Sequence, residues 1–412
     1  MSKRRHEITV GKLSNGLQAV HQRCRGSAVG IFGLCVKAGS RNDPYGGHGL
    51  AHFVEHTIFK GTGHRRSSHI INRMEAVGGE LNAYTTKEET VIYSVFPAAH
   101  LSRAAELIAD LAHDSRFLER ELAKEREVVA DEIDSYLDTP SEAIYDDFED
   151  LMFAGSPLGH NILGDRMSLK RFDCNTCRKF LRRNYRADNM VAFYSGPRGA
   201  EAVFGLLDRY LSVIGDGGES APVPETRPRF NAPFDEKSVI ATHQSHCIVG
   251  ARIGSYLDDS RYATALLTNL TGGPGMNSLL NVELRERRGL VYNVEASTAL
   301  FSDCGLMTVY FGCDPSDSRR CRDIVMRCFD NLSDSLTAKR IEAAKKQYLG
   351  QLVISSESRE SSILEVARSL LWRGRIADVA VTEEMIGSIS KADLLDVAEV
   401  MNRPSILTFS PE

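Results

Sequence analysis

Two histidines flank a glutamate in His52-Phe53-Val54-Glu55-His56. On a helix, His52 and His56 stand at i and i+4 and so on one face. Two imidazoles placed that way can bind one Zn²⁺, and Glu55 stands beside them with a free carboxylate. A catalytic zinc takes three protein ligands and keeps one position open for water, which the ion acidifies and a carboxylate can deprotonate. The third ligand must come from elsewhere, and the 55 Asp and Glu residues leave many choices. A bare five-residue match also describes a helix with two solvated histidines, so the surroundings decide its weight. His48 lies four residues before His52, but Gly46-Gly47-His48-Gly49 is poor helix, and a loop or capping role is expected there.

These residues need elements to hold them. Residues 8–36 read as strands joined by turns, with Ser14-Asn15-Gly16 as a hairpin signal and Ala28 to Val36 as a buried central strand. A helix carrying the motif follows, then a helical stretch around Ile70 to Val77 and a strand at Thr90 to Val95. Leu101 to Ala112, Glu119 to Tyr136 and Asp173 to Asn184 are helical, and Asn189 to Tyr194 is a strand. Gly and Pro crowd between Gly215 and Phe234, marking a linker.

The second half repeats the first. Cys247 to Arg252 answers Ala28 to Val36, and Gly289 to Val294 answers Gly79 to Tyr84. Thr308 to Phe311 answers Thr90 to Tyr93, Ile389 to Asp393 answers Leu169 to Asp173, and Ser405 to Phe409 answers the strand at Asn189. A period of this length means duplicated domains rather than a solenoid. The expected fold is α+β: two homologous domains, each a mostly antiparallel β-sheet covered by α-helices. Residues 1–214 form the first, 215–234 the linker and 235–412 the second. Ala263, Leu266, Leu267 and Asn269 stand where the first copy has its histidines, so the second copy cannot bind zinc.

Composition excludes several classes. The 412 residues, 42% hydrophobic and 25% charged, describe an ordinary globular protein of more than one domain. A net charge of -5 argues against a nucleic-acid-binding surface. Lys3-Arg4-Arg5 and Arg65-Arg66 read as short solvated clusters. No apolar run reaches the roughly 18 residues of a membrane helix. Behind the basic N-terminus there is no apolar signal segment, and a cytoplasmic location is expected. Nine scattered cysteines fit free thiols in a reducing compartment. Cys174-Asn175-Thr176-Cys177 has no second CxxC and falls in the first turn of a helix capped by Asp173. Gly272-Gly273-Pro274-Gly275 lacks the Gly-Lys-Ser/Thr ending of a phosphate loop.

The motif's neighbours carry a resemblance. Gly39-Ser40-Arg41 and Gly49-Leu50-Ala51 precede it, and Phe59-Lys60-Gly61-Thr62 follows. Further on come Gly78-Gly79-Glu80-Leu81-Asn82-Ala83-Tyr84-Thr85 and Glu125-Arg126-Glu127-Val128-Val129-Ala130-Asp131-Glu132-Ile133. With the order His-x-x-Glu-His, the inverse of His-Glu-x-x-His, they resemble the pitrilysin/insulinase family of zinc metallopeptidases. The mitochondrial-processing-peptidase-like branch is the most similar, and the resemblance covers essentially the whole chain.

The resemblance implies the remaining roles. It places the third zinc ligand 76 residues after His56, at Glu132. Glu125, two helical turns earlier on the same face, would orient a ligand histidine. Glu55 would be the general base, with one zinc per chain. Ala83 would offer backbone groups to a peptide added as an edge strand, and Asn82 would bond near the scissile unit. Arg285 and Tyr292, seven apart, match the family's Arg…Tyr pair. Tyr292 would donate to the scissile carbonyl oxygen and Arg285 would hold substrate carbonyls beyond the cut. Thr57 stands where relatives often have Met.

The implied activity is a zinc endopeptidase acting on peptides or unfolded segments in a closed chamber. It would work as a homodimer of the bacterial type, with sites composed across chains and no nucleic acid or membrane as partner. The alternatives are a non-catalytic scaffold subunit and an obligate partner of a second homologous chain.

Overall fold

The computed structural model describes residues 7–215, 232–376 and 379–411. Residues 216–231 of the expected linker and the Lys3-Arg4-Arg5 cluster lie outside the described residues. The chain separates into two compact units, interleaved in sequence. One takes the described residues within Met1–Asp134, His160–Glu225 and Ser356–Ile376, the other those within Ser135–Gly159, Thr226–Ser355 and Ala377–Glu412.

The first unit holds strands β1 (Glu7–Lys12), β2 (Gln18–Arg23), β3 (Val29–Val36), β4 (Glu80–Thr85), β5 (Thr90–Pro97) and β6 (Met190–Gly196). They form a six-stranded sheet in the order β1-β2-β6-β3-β5-β4. Neighbours are antiparallel except β2 and β6, which are parallel. The apolar run Val29–Val36 is central, as its composition requires, and is buried from Gly30 onward. Leu13 to Leu17 closes the β1–β2 hairpin, with Gly16 at φ +85° where a left-handed turn needs glycine.

Five helices matter here: α1 (Leu50–Ile58), α2 (Ser67–Glu75), α3 (Leu101–Asp114), α4 (Glu119–Leu137) and α5 (Pro140–Met152). The side chains of α1, α2, α3 and α4 join Phe32, Leu34 and Ile92 of the sheet in one core. The opposite face of the same sheet is covered by the helix Arg359–Arg373. Its Ile363, Val366, Ala367 and Leu370 pack on Val20, Ile31, Val91 and Phe193. Polar ties fix that helix in place: Tyr93 donates to Glu360 (2.7 Å), and the buried Glu89 accepts from Arg368 (2.8 Å) and Trp372 (2.5 Å).

The second unit holds β7 (Asp235–Val239), β8 (Ser245–Ile253), β9 (Val291–Leu300), β10 (Gly305–Cys313) and β11 (Ser405–Ser410). Their order is β7-β11-β8-β10-β9. It matches β2-β6-β3-β5-β4 strand for strand, including the parallel outer pair β7–β11. The repeat read in the sequence is therefore a repeat of topology, and the α+β reading holds. In this unit α5 covers one sheet face, with Phe148 and Ile144 against Ile248 and Leu407. The helices Ser260–Gly272 and Ser318–Asp330 cover the other.

Candidate metal centre

The motif sits on α1, whose start is built to order. Gly49 is its N-cap at φ +91°. The Asp43 carboxylate, fully buried, accepts from the Gly49 and Ala51 N–H groups at 2.7 and 2.8 Å. An acid at this helix end satisfies otherwise unpaired donors and meets the positive end of the dipole. A Cβ on Gly49 would lie 2.4 Å from the Leu163 carbonyl oxygen. Gly49→Ala is therefore expected to lower the unfolding free energy by about 2 kcal/mol or more, through strain at a left-handed residue plus the clash. A denaturant midpoint measures it, and an unchanged midpoint would show that the turn tolerates a side chain. His48, just before, stacks on His160 with ring centroids 4.1 Å apart, in the loop role expected of it.

Within α1, Leu50, Ala51, Phe53, Val54 and Ile58 are buried in the core. The helix is surrounded closely enough that His52 and Glu55 are buried too. On α4, Leu122, Glu125, Val129 and Ile133 form the buried stripe. That stripe turns Glu125 and Glu132 toward α1.

The structure brings the three predicted ligands together. The Nε2 atoms of His52 and His56 lie 3.7 and 3.5 Å from the two oxygens of Glu132. One donor atom from each of the three falls within 4.8 Å of the others. Ligands about 2.1 Å from a tetrahedral zinc stand about 3.4 Å from one another, so this N, N, O set fits such an ion. Burial, with a smaller push from His56, drives the His52 pKa down to about 3 and keeps that imidazole in the neutral, metal-binding form.

His56 is held differently. Its Nδ1–H donates to Glu125 Oε1 at 3.0 Å, which leaves Nε2 as the ring nitrogen facing Glu132. Glu125 Oε2 in turn sits 2.7 Å from Lys60 Nζ. Burial disfavours charge on His56, but the Glu125 hydrogen bond and the nearby Glu55 and Glu132 outweigh it and raise its pKa. For Glu125 the same competition runs the other way: burial raises its pKa, and His56 and Lys60 bring it below the usual carboxylate range. Lys60 is a lone lysine after a helix, and no periodic signal in the sequence reveals its role.

Glu55 faces the same side. Burial pushes its pKa up, against the nearby His56 and a hydrogen bond from Thr85 Oγ1 to Oε2 of 3.0 Å. Thr85 is a second residue that sequence reasoning missed. It closes β4, the strand at the open end of the sheet. Along β4, Leu81 and Ala83 pack inward and Asn82 is exposed on the alternate face.

Arg285 and Tyr292 belong to the second unit. Arg285 is exposed on a π-helical turn, Asn281–Glu286. Tyr292, 68% exposed, lies on β9, the last strand of that sheet. The position equivalent to α1 is the helix Ser260–Gly272, where Ala263, Leu266 and Leu267 are buried and no metal ligand stands. The Gly-rich turn follows this helix rather than a strand, unlike a phosphate loop.

Another group able to converge on an ion is His64, Asp110 and Asp114, but there Arg65 already pairs with Asp110 and Glu106. Arg65 is thus not the solvated residue expected from its sequence. No disulfide joins the cysteines of the described residues, and Asp173 caps the Cys174–Asn184 helix as read. No helix among the described residues is long and apolar enough to cross a membrane.

Comparisons with known proteins show the family and the fold. Residues 22–166 match the family described as Insulinase (Peptidase family M16), and residues 172–348 match the Peptidase M16 inactive domain. An uncharacterized zinc protease of Streptomyces coelicolor is 30% identical over 410 residues, covering 97% of this chain and 88% of that one. One from Rickettsia bellii is 29% identical over 395 residues, covering 96% and 95%. In fold, a protease from Helicobacter pylori superposes with a TM-score of 0.90 at 20% identity, covering 98% of this chain and 100% of that one. With a shared sequence across nearly its whole length, the chain belongs to the insulinase family of peptidases, M16.

Proposed function

We propose that the protein is a zinc metalloendopeptidase that cuts peptides or unfolded segments held as an added strand on β4. The observation that carries this reading is the convergence of His52, His56 and Glu132 beside a buried Glu55. One zinc per chain would be held by those three side chains. Bound there, it supplies a Lewis acid and brings the pKa of its water to about 7. Glu55 takes a proton from the attacking water and returns it to the leaving amine. Glu125, backed by Lys60, fixes the His56 tautomer and ring. The open edge of β4 offers main-chain groups at Ala83 for strand addition, which tolerates many sequences, and Asn82 bonds near the scissile unit.

Residues 1–214 carry the zinc ligands and the base in this reading, and residues 235–412 supply Arg285 and Tyr292. Tyr292 donates its hydroxyl to the developing oxyanion and Arg285 holds carbonyls beyond the cut. Two chains pair, as in the homodimeric processing-peptidase-like branch, so that the zinc residues of one face Arg285 and Tyr292 of the other.

The test of the activity is mass spectrometry of products from a long unstructured peptide. Internal cuts are expected, and an intact peptide after incubation with zinc-loaded protein contradicts the reading. The pairing has its own test: mixing inactive Glu55→Gln chains with inactive Tyr292→Phe chains. A mixed dimer then carries one site with both lesions and one with neither, so activity partly returns. No recovery despite demonstrated subunit exchange contradicts sites shared between chains.

A further inference from the structure

We propose that Thr85 is a positioning residue for the base, committing Glu55 to use one of its two oxygens and tying it to the strand that takes the substrate. The inference rests on the peptidase reading above. Thr85 Oγ1 lies 3.0 Å from Glu55 Oε2 and 3.4 Å from Thr90 Oγ1. The Thr90 hydroxyl proton is spent on the Ala38 carbonyl at 2.8 Å. A carboxylate only accepts, so the single Thr85 proton goes to Glu55 Oε2. Oε1 has no hydrogen-bonding partner among the described residues, and it is the oxygen left to accept a proton.

Thr85 is itself well placed to impose this. The turn after it is closed by Thr86, whose N–H donates to the Glu89 carbonyl at 2.7 Å and whose Oγ1 accepts from the Glu89 N–H at 3.0 Å. The Ser40 and Arg41 N–H groups clamp the same turn, donating to the carbonyls of Thr86 (3.1 Å) and Lys87 (2.7 Å). Arg41 and Glu88 add a buried ion pair of 2.6 Å. One end of β4 is therefore fixed, and Thr85 stands between that fixed end and the stretch at Asn82 and Ala83 proposed to hold the peptide. Anything that docks along β4 is registered against the same hydroxyl that orients the base.

The test compares Thr85→Val, which removes the hydroxyl at nearly constant shape, with Thr85→Ser, which keeps it. For a hydrogen bond to a charged group, kcat is expected to fall about 10- to 100-fold in Thr85→Val and to recover in Thr85→Ser, with KM little changed. Bound zinc should match wild type in both. The affinity for an uncleaved peptide, measured by fluorescence anisotropy on Glu55→Gln with and without Thr85→Val, should also be unchanged.

A Thr85→Val enzyme as fast as wild type overturns the proposal. So does a loss confined to KM or to peptide affinity, which would make Thr85 a part of the strand only. Wild type and Glu55→Gln are assayed alongside: if wild type cuts and Glu55→Gln does not, the peptidase reading stands whichever way Thr85 falls.

Discussion

Glu55→Gln is expected to cut peptides at least about 10³-fold more slowly than wild type while binding the same amount of zinc. The substitution keeps the size of the side chain and leaves His52, His56 and Glu132 untouched. What it removes is a proton acceptor in a place where no other carboxylate can substitute. Glu132 faces both histidines, and Glu125 is committed to His56 and Lys60. General acid–base groups contribute about 10²- to 10⁴-fold, and Glu55 serves twice in the proposed cycle, which places the effect in the upper part of that range. Zinc by elemental analysis and peptide cleavage on the same sample check it. Activity within a few-fold of wild type would remove Glu55 from the chemistry, and loss of zinc would make it part of the metal site.

Replacing a ligand has a different signature, because metal and activity disappear together. His56→Ala or Glu132→Ala leaves two donors where zinc takes three. Loss of a supporting partner alone costs about 10- to 100-fold in metal affinity, which is the effect expected for Glu125→Ala. Loss of a ligand should exceed about 100-fold. The stability readout separates the cases without any assay of activity. A metal present at 100 times its Kd adds about 2.7 kcal/mol to folding, so wild type should melt higher when zinc is added. The ligand variants should show no such gain, and Glu125→Ala should show it only at higher zinc. A full zinc-dependent rise in melting temperature for Glu132→Ala would place the ion elsewhere.

The fold was legible where the pattern was strong and local. The apolar run at Val29–Val36 became a central strand because it can be buried on both faces. The repeat could be read because equivalent strands share their apolar and glycine spacing, and topology preserves it. The reciprocal exchange of helices could not be read. Amphipathic spacing says that α5 and Arg359–Arg373 must each bury a face, but not against which sheet. Pairing across more than a hundred residues is a tertiary choice. The helical stretch expected around Ile70 to Val77 ends at Glu75, where the chain begins the turn to Gly78 at φ +72°.

The site divides in the same way. His52, Glu55 and His56 announce themselves through helical spacing. Glu132 and Glu125 were placed by resemblance; charge and spacing alone do not distinguish them from a solvated helix face. The burial of Leu122, Glu125, Val129 and Ile133 is what turns that face inward. Thr85 and Lys60 act through single contacts made only after β4 and α4 have packed beside α1, and no residue pattern encodes that. Arg65 misled for the mirror reason: its neighbours in sequence are polar, and the acids that pair with it, Glu106 and Asp110, come from α3.

The central claim is that one zinc at His52, His56 and Glu132 makes this chain a peptidase. It is tested most directly by titrating zinc back into metal-depleted protein while following both bound metal and cleavage of a long fluorogenic peptide. The account predicts that activity rises in step with bound zinc and levels off at about one ion per chain. Zinc binding at that stoichiometry with no cleavage at any point, or cleavage that persists in fully depleted protein, would contradict it.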